Sequence, residues 1–267
     1  MRNIQKEIQD NLDAIESKHH VSILLAVESG SRAWGFASPD SDYDVRFIYM
    51  QRPEDYLRID PKKDVIEWQL DEVLDINGWD LKKALKAFAK GNPNVLEWAL
   101  SPIIYRQSDL WYYIRNIAMQ YFSEKTALSH YYGTASSTYH EYLTGDTVRY
   151  KKYFYALRPL LCCRWIERHH EAPPVQFAKL LELFQYPEEG FPDTLFDRIQ
   201  LLLERKAVSV EKDRNSHMPV ILDFIREECE RQKRISTNMP DDHIHDLEPL
   251  NRVFIKSLGL QFEKCDE

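Results

Sequence analysis

The residues best suited to chemistry lie close together near the N-terminus. Gly30-Ser31 directly follows a short apolar segment ending in Glu28-Ser29, and ten residues separate it from Asp42-Tyr43-Asp44. If Tyr43 to Met50 is a strand, alternation places Asp42 and Asp44 on one face, with Cα atoms ~6.5–7 Å apart. Two carboxylates so placed repel each other unless a cation lies between them. Mg²⁺ or Mn²⁺ suits such a pair, because these ions take a few carboxylates together with waters and substrate phosphates. Two ions ~3.5–4 Å apart would activate an attacking hydroxyl and stabilise a leaving pyrophosphate. Gly30 permits close approach of backbone to ligand, and Ser31 offers a hydroxyl and an N–H to phosphate oxygens. Arg32 adds a planar fork that matches a phosphate.

Plainer readings of the same residues exist. Ser-Pro-Asp-Ser-Asp, residues 38–42, is good turn chemistry, and Asp at a strand entry is common. Asp40, Asp42 and Asp44 resemble the start of a calcium loop, but Val45 and Gln51 stand where that loop needs Gly and Glu. Gly30 to Gly35 lacks the Gly-Lys-Ser/Thr of a P-loop. His243 and His245 sit two residues apart beside Asp241, Asp242 and Asp246, a spacing that does not share a helix face, so an acidic helix start explains them. His130, His140, His169 and His170 fall in helical stretches where packing or surface roles suffice.

The surrounding pattern indicates which elements hold these residues. Ile4, Ile8, Leu12 and Ile15 recur at helical spacing over residues 1–18. Val21 to Val27, VSILLAV, has the length and branching of a buried strand. Tyr43 to Met50 reads as a second strand, with Tyr43, Val45, Phe47 and Tyr49 on one face and Asp42, Asp44, Arg46 and Ile48 on the other. Further strands are expected near Val65 to Leu70 and Val73 to Ile76. A helix follows from Trp79 or Asp80 to Lys90, with Leu81, Ala84, Leu85 and Phe88 inward and Lys82, Lys83, Lys86 and Lys90 on a basic stripe. Gly91 and Pro93 close it, and a short helix covers Asn94 to Leu100.

Beyond about Tyr105 helical patterns dominate: near 108–122, 124–143, 147–170, 175–185, 193–208, 217–234 and 246–257. Pro159 should kink the 147–170 helix or start a new one. The expected organisation is an α/β (α+β) domain with a mixed sheet over residues 1–105, then an all-helical domain over 106–267 that closes one side of a cleft.

The 267 residues suffice to bury a core. No stretch reaches the ~20 apolar residues of a membrane helix. The polar N-terminus has no targeting character, and Cys162, Cys163, Cys229 and Cys265 form no CxxC pair, so a cytoplasmic location is expected. A net charge of -8 argues against nucleic-acid binding by bulk charge, while leaving room for a local basic groove.

The segment LLAVESGSRAWGFASPDSDYDVRFIY resembles the signature of the DNA polymerase β-like nucleotidyltransferase superfamily. Two further stretches, LKKALKAFAKGNPNVLEWALSP and KKYFYALRPLLCCRWIE, extend the resemblance to an RNA-repair-associated polymerase β family over about residues 21 to 167. The resemblance implies the polymerase β-like fold and transfer of a nucleoside monophosphate from an NTP to an acceptor hydroxyl, with pyrophosphate released and Mg²⁺ or Mn²⁺ required. It also implies a third carboxylate on the strand before the LKKALKAFAKGNPN helix. Asp75 fits, ending the run Val73-Leu74, with Glu67 and Asp80 as competitors; Asp80 also suits a helix N-terminus. On the 150–167 helix, Lys151, Lys152 and Arg158 are candidates for the triphosphate and Tyr155 for the base, against the alternative of a solvated basic edge. The acceptor is RNA or a protein side chain. A nucleotide-binding protein without turnover is the alternative of a different class, and the intact acidic pair argues against it.

Overall fold

The computed structural model describes residues 3–38, 41–71, 73–208 and 215–260, with backbone alone for 69–70 and 207–208. Asp40 of the calcium-loop comparison and Cys265 lie outside the described residues. The chain divides into two compact units, one made of residues 1–30, 42–122 and 243–267, the other of 31–41 and 123–242.

The first unit begins with α1 (Ile4–His19). Asn3 caps it by accepting the Lys6 N–H at 3.1 Å, and Ile8, Leu12 and Ile15 are buried. Strand β1 (Ser22–Ser29) leads into the short helix α2 (Gly30–Trp34), then β2 (Tyr43–Met50), the single turn α3 (Pro53–Tyr56), β3 (Val65–Leu70) and β4 (Leu74–Asp80). Helices α4 (Leu81–Ala89) and α5 (Pro93–Ala99), strand β5 (Ile104–Gln107) and α6 (Asp109–Ala118) follow. The five strands form one sheet in the order β3-β4-β2-β1-β5. Only β2 and β4 run parallel; the other neighbours are antiparallel, so the sheet is mixed.

Both faces of the sheet are covered. Ile8, Leu12 and Ile15 of α1 pack with Val45, Phe47, Tyr49, Leu74 and Ile76. On the other face Leu25, Val27 and Ile48 meet Leu81, Leu85 and Phe88 of α4, with Trp98, Trp111 and Ile114. This double coverage explains why β1 is apolar almost throughout instead of alternating. Leu250 and Val253 join the same core from α12 (Glu248–Ser257), near the far end of the chain.

The second unit is helical beyond α2: α7 (Glu124–Tyr142), α8 (Tyr150–His169), α9 (Phe177–Leu180), α10 (Leu195–Val208) and α11 (Pro219–Asn238). Helix α8 is buried on nearly all sides, from Tyr153 to Ile166, as a central helix must be. It runs through Pro159 without starting a new helix, so of the two alternatives expected there the second does not occur. Cys162 and Cys163 are fully buried within it.

Three local features differ from the sequence reading. Strand β4 extends to Asp80, so Asp75 is its second residue and does not end a short run before the helix. Asn77 and Gly78 hide the strand because neither favours one. Gly78 is required by packing: a Cβ there would overlap the Phe47 ring. The edge strand β5 and the turn α3 are too short to leave a pattern. The compact units also do not follow a single cut at 105/106, because α6 and α12 bury their apolar faces on the sheet's core.

Candidate active site

The ends of three neighbouring strands converge on the acidic residues. β1 finishes at Ser29, which pairs with Asp44 near the start of β2, and Asp44 pairs in turn with Asp75 near the start of β4. Gly30 then takes the chain away from the sheet with φ +62°, a conformation glycine adopts without penalty. A Cβ on Gly30 would overlap Oδ2 of Asp44 and lie 3.2 Å from its Cγ. Gly30 therefore gives the Asp44 carboxylate the room it occupies. Asp42 is exposed and directly precedes β2, whose first N–H, that of Tyr43, donates to the Val73 carbonyl at 2.8 Å.

Asp44 and Asp75 stand opposite each other across parallel strands, where like charges repel. Arg46, two residues along β2, lies between their side chains. Its Nη2 donates to Asp44 Oδ1 at 3.1 Å and to Asp75 Oδ2 at 2.6 Å, while Nη1 donates to the Val45 and Asp75 carbonyls. All three side chains remain partly accessible, between 19% and 26%. The sequence places Arg46 on the acidic face, but alternation alone does not reveal that its side chain folds back onto the two acids.

Glu28 is the second residue that the sequence reading did not single out. It is 1% exposed on β1. Its Oε1 accepts the Asp44 N–H at 2.8 Å, and its Oε2 accepts the Tyr105 hydroxyl of β5. Ser101 Oγ donates to its carbonyl at 2.6 Å. A carboxylate inside the sheet thus fixes the backbone that carries Asp44. The available signal was a charged residue continuing an apolar strand up to the Gly-Ser turn.

The competitors for a third acid lie elsewhere. Asp80 is buried and caps α4, accepting the Lys82 N–H at 2.8 Å, the Tyr56 hydroxyl at 2.7 Å and Gln51 Nε2 at 3.3 Å. Burial pushes its carboxyl above the usual range, and the same burial raises the Tyr56 phenol. Glu67 is exposed on β3, opposite Asn77 and two strands away from Asp44. Asp75 is the candidate the sheet brings beside Asp44.

The remaining predicted residues belong to the second unit. Ser31 is buried, and Arg32 Nη2 donates to the Ser41 carbonyl at 2.5 Å. Lys206, from α10, is also buried and donates to Ser38 Oγ at 3.0 Å, while Ser38 bonds Ser41 through both its N–H and its hydroxyl. Trp34 meets Tyr155 edge-on at 5.5 Å. Lys151 and Lys152 place their ammonium groups 5.6 Å from the Tyr155 ring centre, and Lys152 also lies 3.4 Å from that of Tyr142. Arg158, a candidate for the triphosphate, is enclosed within the second unit. It is 3% exposed, its Nε donates to the Val175 carbonyl, and its guanidinium covers Trp34 at 4.6 Å. Far from these, Asp242 caps α7, accepting from Ser123 Oγ and the Glu124 N–H, both at 2.6 Å, so it serves a helix end.

Asp42, Asp44 and Asp75 are all carboxylates, the donor type that a hard divalent ion such as Mg²⁺ or Mn²⁺ takes, while the group of three whose ligand atoms lie within 4.8 Å of one another among the described residues is Asp241, Asp242 and His243.

A family model described as RlaP, RNA repair pathway DNA polymerase beta family, matches residues 4–256. The chain belongs to this family. It is 40% identical over 257 residues to the uncharacterized protein YcgL of Bacillus subtilis (strain 168), a match covering 96% of each chain. Among solved structures, a nucleotidyltransferase-like protein from Exiguobacterium sibiricum 255-15 matches at 13% identity and a TM-score of 0.29, over 94% of this chain and 89% of that one. Membership in the RlaP family gives the chain the general character of a polymerase β-type nucleotidyltransferase. Among the described residues no helix is long and apolar enough to cross a membrane.

Proposed function

We propose that this RlaP-family member transfers a nucleoside monophosphate from an NTP to a hydroxyl of RNA, in a reaction that requires Mg²⁺ or Mn²⁺. The observation that carries the reading is the Asp44–Asp75 pairing at the strand ends, with Gly30 cleared of side chain beside Asp44. Asp42 and Asp44 would hold the metal. When bound, such an ion supplies positive charge that draws the phosphates together and steadies the departing pyrophosphate.

The protein's own groups have separate tasks. Asp75 takes the proton of the acceptor hydroxyl as its oxygen attacks the α-phosphorus and the bond to pyrophosphate breaks. Glu28 holds the Asp44 backbone in place through the N–H bond described above. In the second unit, Lys151 and Lys152 offer charge to phosphates and Tyr155 an aromatic surface to a base. Arg158 and Lys206 act as supports: one braces Trp34, the other holds Ser38. RNA is preferred over a protein acceptor because of the RNA repair description of the family.

The test uses the full chain with Mg²⁺ or Mn²⁺ and each α-labelled NTP, offered RNA in one series and proteins in another. A variant carrying Asp42→Ala and Asp44→Ala runs beside it. Transfer of label to RNA by the parent alone supports the reading. Label on protein alone replaces the acceptor. No transfer by the parent, or equal transfer by the variant, overturns the chemistry.

A further inference from the structure

We infer that Arg46 is a built-in counter-cation that occupies the space between Asp44 and Asp75, so that the protein takes one divalent ion where the motif by itself suggests two. This deepens the metal-dependent reading above and rests on it. The geometry behind it lies within the first unit. Parallel register forces Asp44 and Asp75 to face each other across β2 and β4. A single guanidinium nitrogen, Nη2, reaches both carboxylates, at 3.1 and 2.6 Å. The second nitrogen, Nη1, is held by two backbone carbonyls, Val45 at 3.1 Å and Asp75 at 3.2 Å. Four donor contacts from one planar fork fix its position as a mobile lysine ammonium would not.

Charge leads to the same result. Asp44 and Asp75 bring two like charges together, and the Arg46 guanidinium between them offsets one of the two. An ion bridging Asp44 and Asp75 would have to displace the guanidinium or lie beside it, and two cations in that space repel. The ion is therefore assigned to Asp42 and Asp44, and Asp75 to its ion pair with Arg46 and to the acceptor.

The count of bound Mn²⁺ tests the assignment without any turnover. The full chain is titrated with Mn²⁺ alone, and the free ion is followed by electron paramagnetic resonance. The parent is expected to bind one ion, and Arg46→Met two. Adding Asp75→Asn to Arg46→Met should return the count to one, which locates the second ion. In the parent background, Asp75→Asn should leave the count at one, and Arg46→Lys should not raise it.

A parent that binds two ions overturns the inference and leaves the proposed reaction standing. So does an Arg46→Met protein that still binds one. Loss of the single ion in Asp75→Asn overturns it as well, and this variant decides the matter if Arg46→Met fails to fold. A parent that binds no Mn²⁺ without nucleotide overturns the inference, and the labelled-NTP assay, in which substrate phosphates complete the ion's ligands, decides the metal-dependent reading separately.

Discussion

Asp44 and Asp75 face each other in parallel register at the starts of β2 and β4, with the Arg46 guanidinium between their carboxylates. Facing charges of one sign in a sheet are destabilising, on the scale of ~0.2–1 kcal/mol for a cross-strand pair. The charged cluster has Gly30 on one side, cleared of side chain, and Glu28 behind it, bonded to the Asp44 backbone. Local cost combined with precise support is the pattern of a site shaped for a ligand.

Removing one of the facing charges should therefore separate activity from stability. Asp44→Asn is expected to reduce metal-dependent transfer by more than ~100-fold, beyond the range seen for groups that merely support a metal ligand. Its unfolding free energy should stay within ~1 kcal/mol of the parent, because the side chain is partly exposed and Arg46 keeps its bond to Asp75. Urea unfolding and the labelled-NTP assay measured on the same preparations check both halves. Retained transfer would remove Asp44 from the metal-binding set.

Gly30→Ala should impair folding and metal binding together. The positive φ penalises any Cβ by ~1–2 kcal/mol. The added methyl would also meet the Asp44 carboxylate, so that side chain must rotate away. The expected result is lower stability by at least ~1 kcal/mol with clearly weaker Mn²⁺ affinity. A variant of normal stability and normal affinity would mean that Gly30 does not shape the acidic pocket.

Much of this arrangement was legible in the sequence, for definite physical reasons. The β1 strand and the Asp-x-Asp entry of β2 are local signals that the structure forms as strands, and Gly30-Ser31 between them opens the short helix α2. Asp75 was harder to assign, because Asn77 and Gly78 mask the rest of β4 and only the pairing with β2 shows which acid adjoins Asp44. Arg46 and Glu28 act through long-range partners: Asp75 is 29 residues from Arg46, and Tyr105 is 77 from Glu28. No window of sequence contains those contacts. The surroundings of Arg158 were hidden for a similar reason, since a basic residue on a helix stripe gives no sign that Val175 and Trp34 enclose it.

Glu28 should prove to be a support whose loss is felt at Asp44. In Glu28→Ala the Asp44 N–H loses its acceptor inside the sheet, a change worth ~1–3 kcal/mol. Tyr105→Phe removes one hydrogen bond to the same carboxylate and should cost less, ~0.5–1.5 kcal/mol. Because both act on one group, the double variant should be less destabilised than the two single effects combined. Transfer should fall ~10–100-fold in Glu28→Ala, the range for groups that orient a metal ligand. Full additivity in urea unfolding would show that the two residues do not act as a unit.

Asp80 offers a test based on pH, and the sign follows from its burial. Its carboxyl titrates above the ordinary value of 3.8, chiefly because burial disfavours the charged form, although bonds from Tyr56, Lys82 and Gln51 partly offset this. Between the ordinary value and the raised one, the folded chain holds a proton that the unfolded chain has released. Stability must then fall as pH rises through that window, and level off once the folded group has ionised. Asp80→Asn keeps an acceptor for the Lys82 N–H at the start of α4 and has no charge to bury. The variant should therefore gain on the parent as pH is raised from about 4 to about 8, in paired urea unfolding at each pH. A gap that narrows with rising pH would mean that the Asp80 charge is stabilised in the fold, with its hydrogen bonds and the helix end outweighing burial.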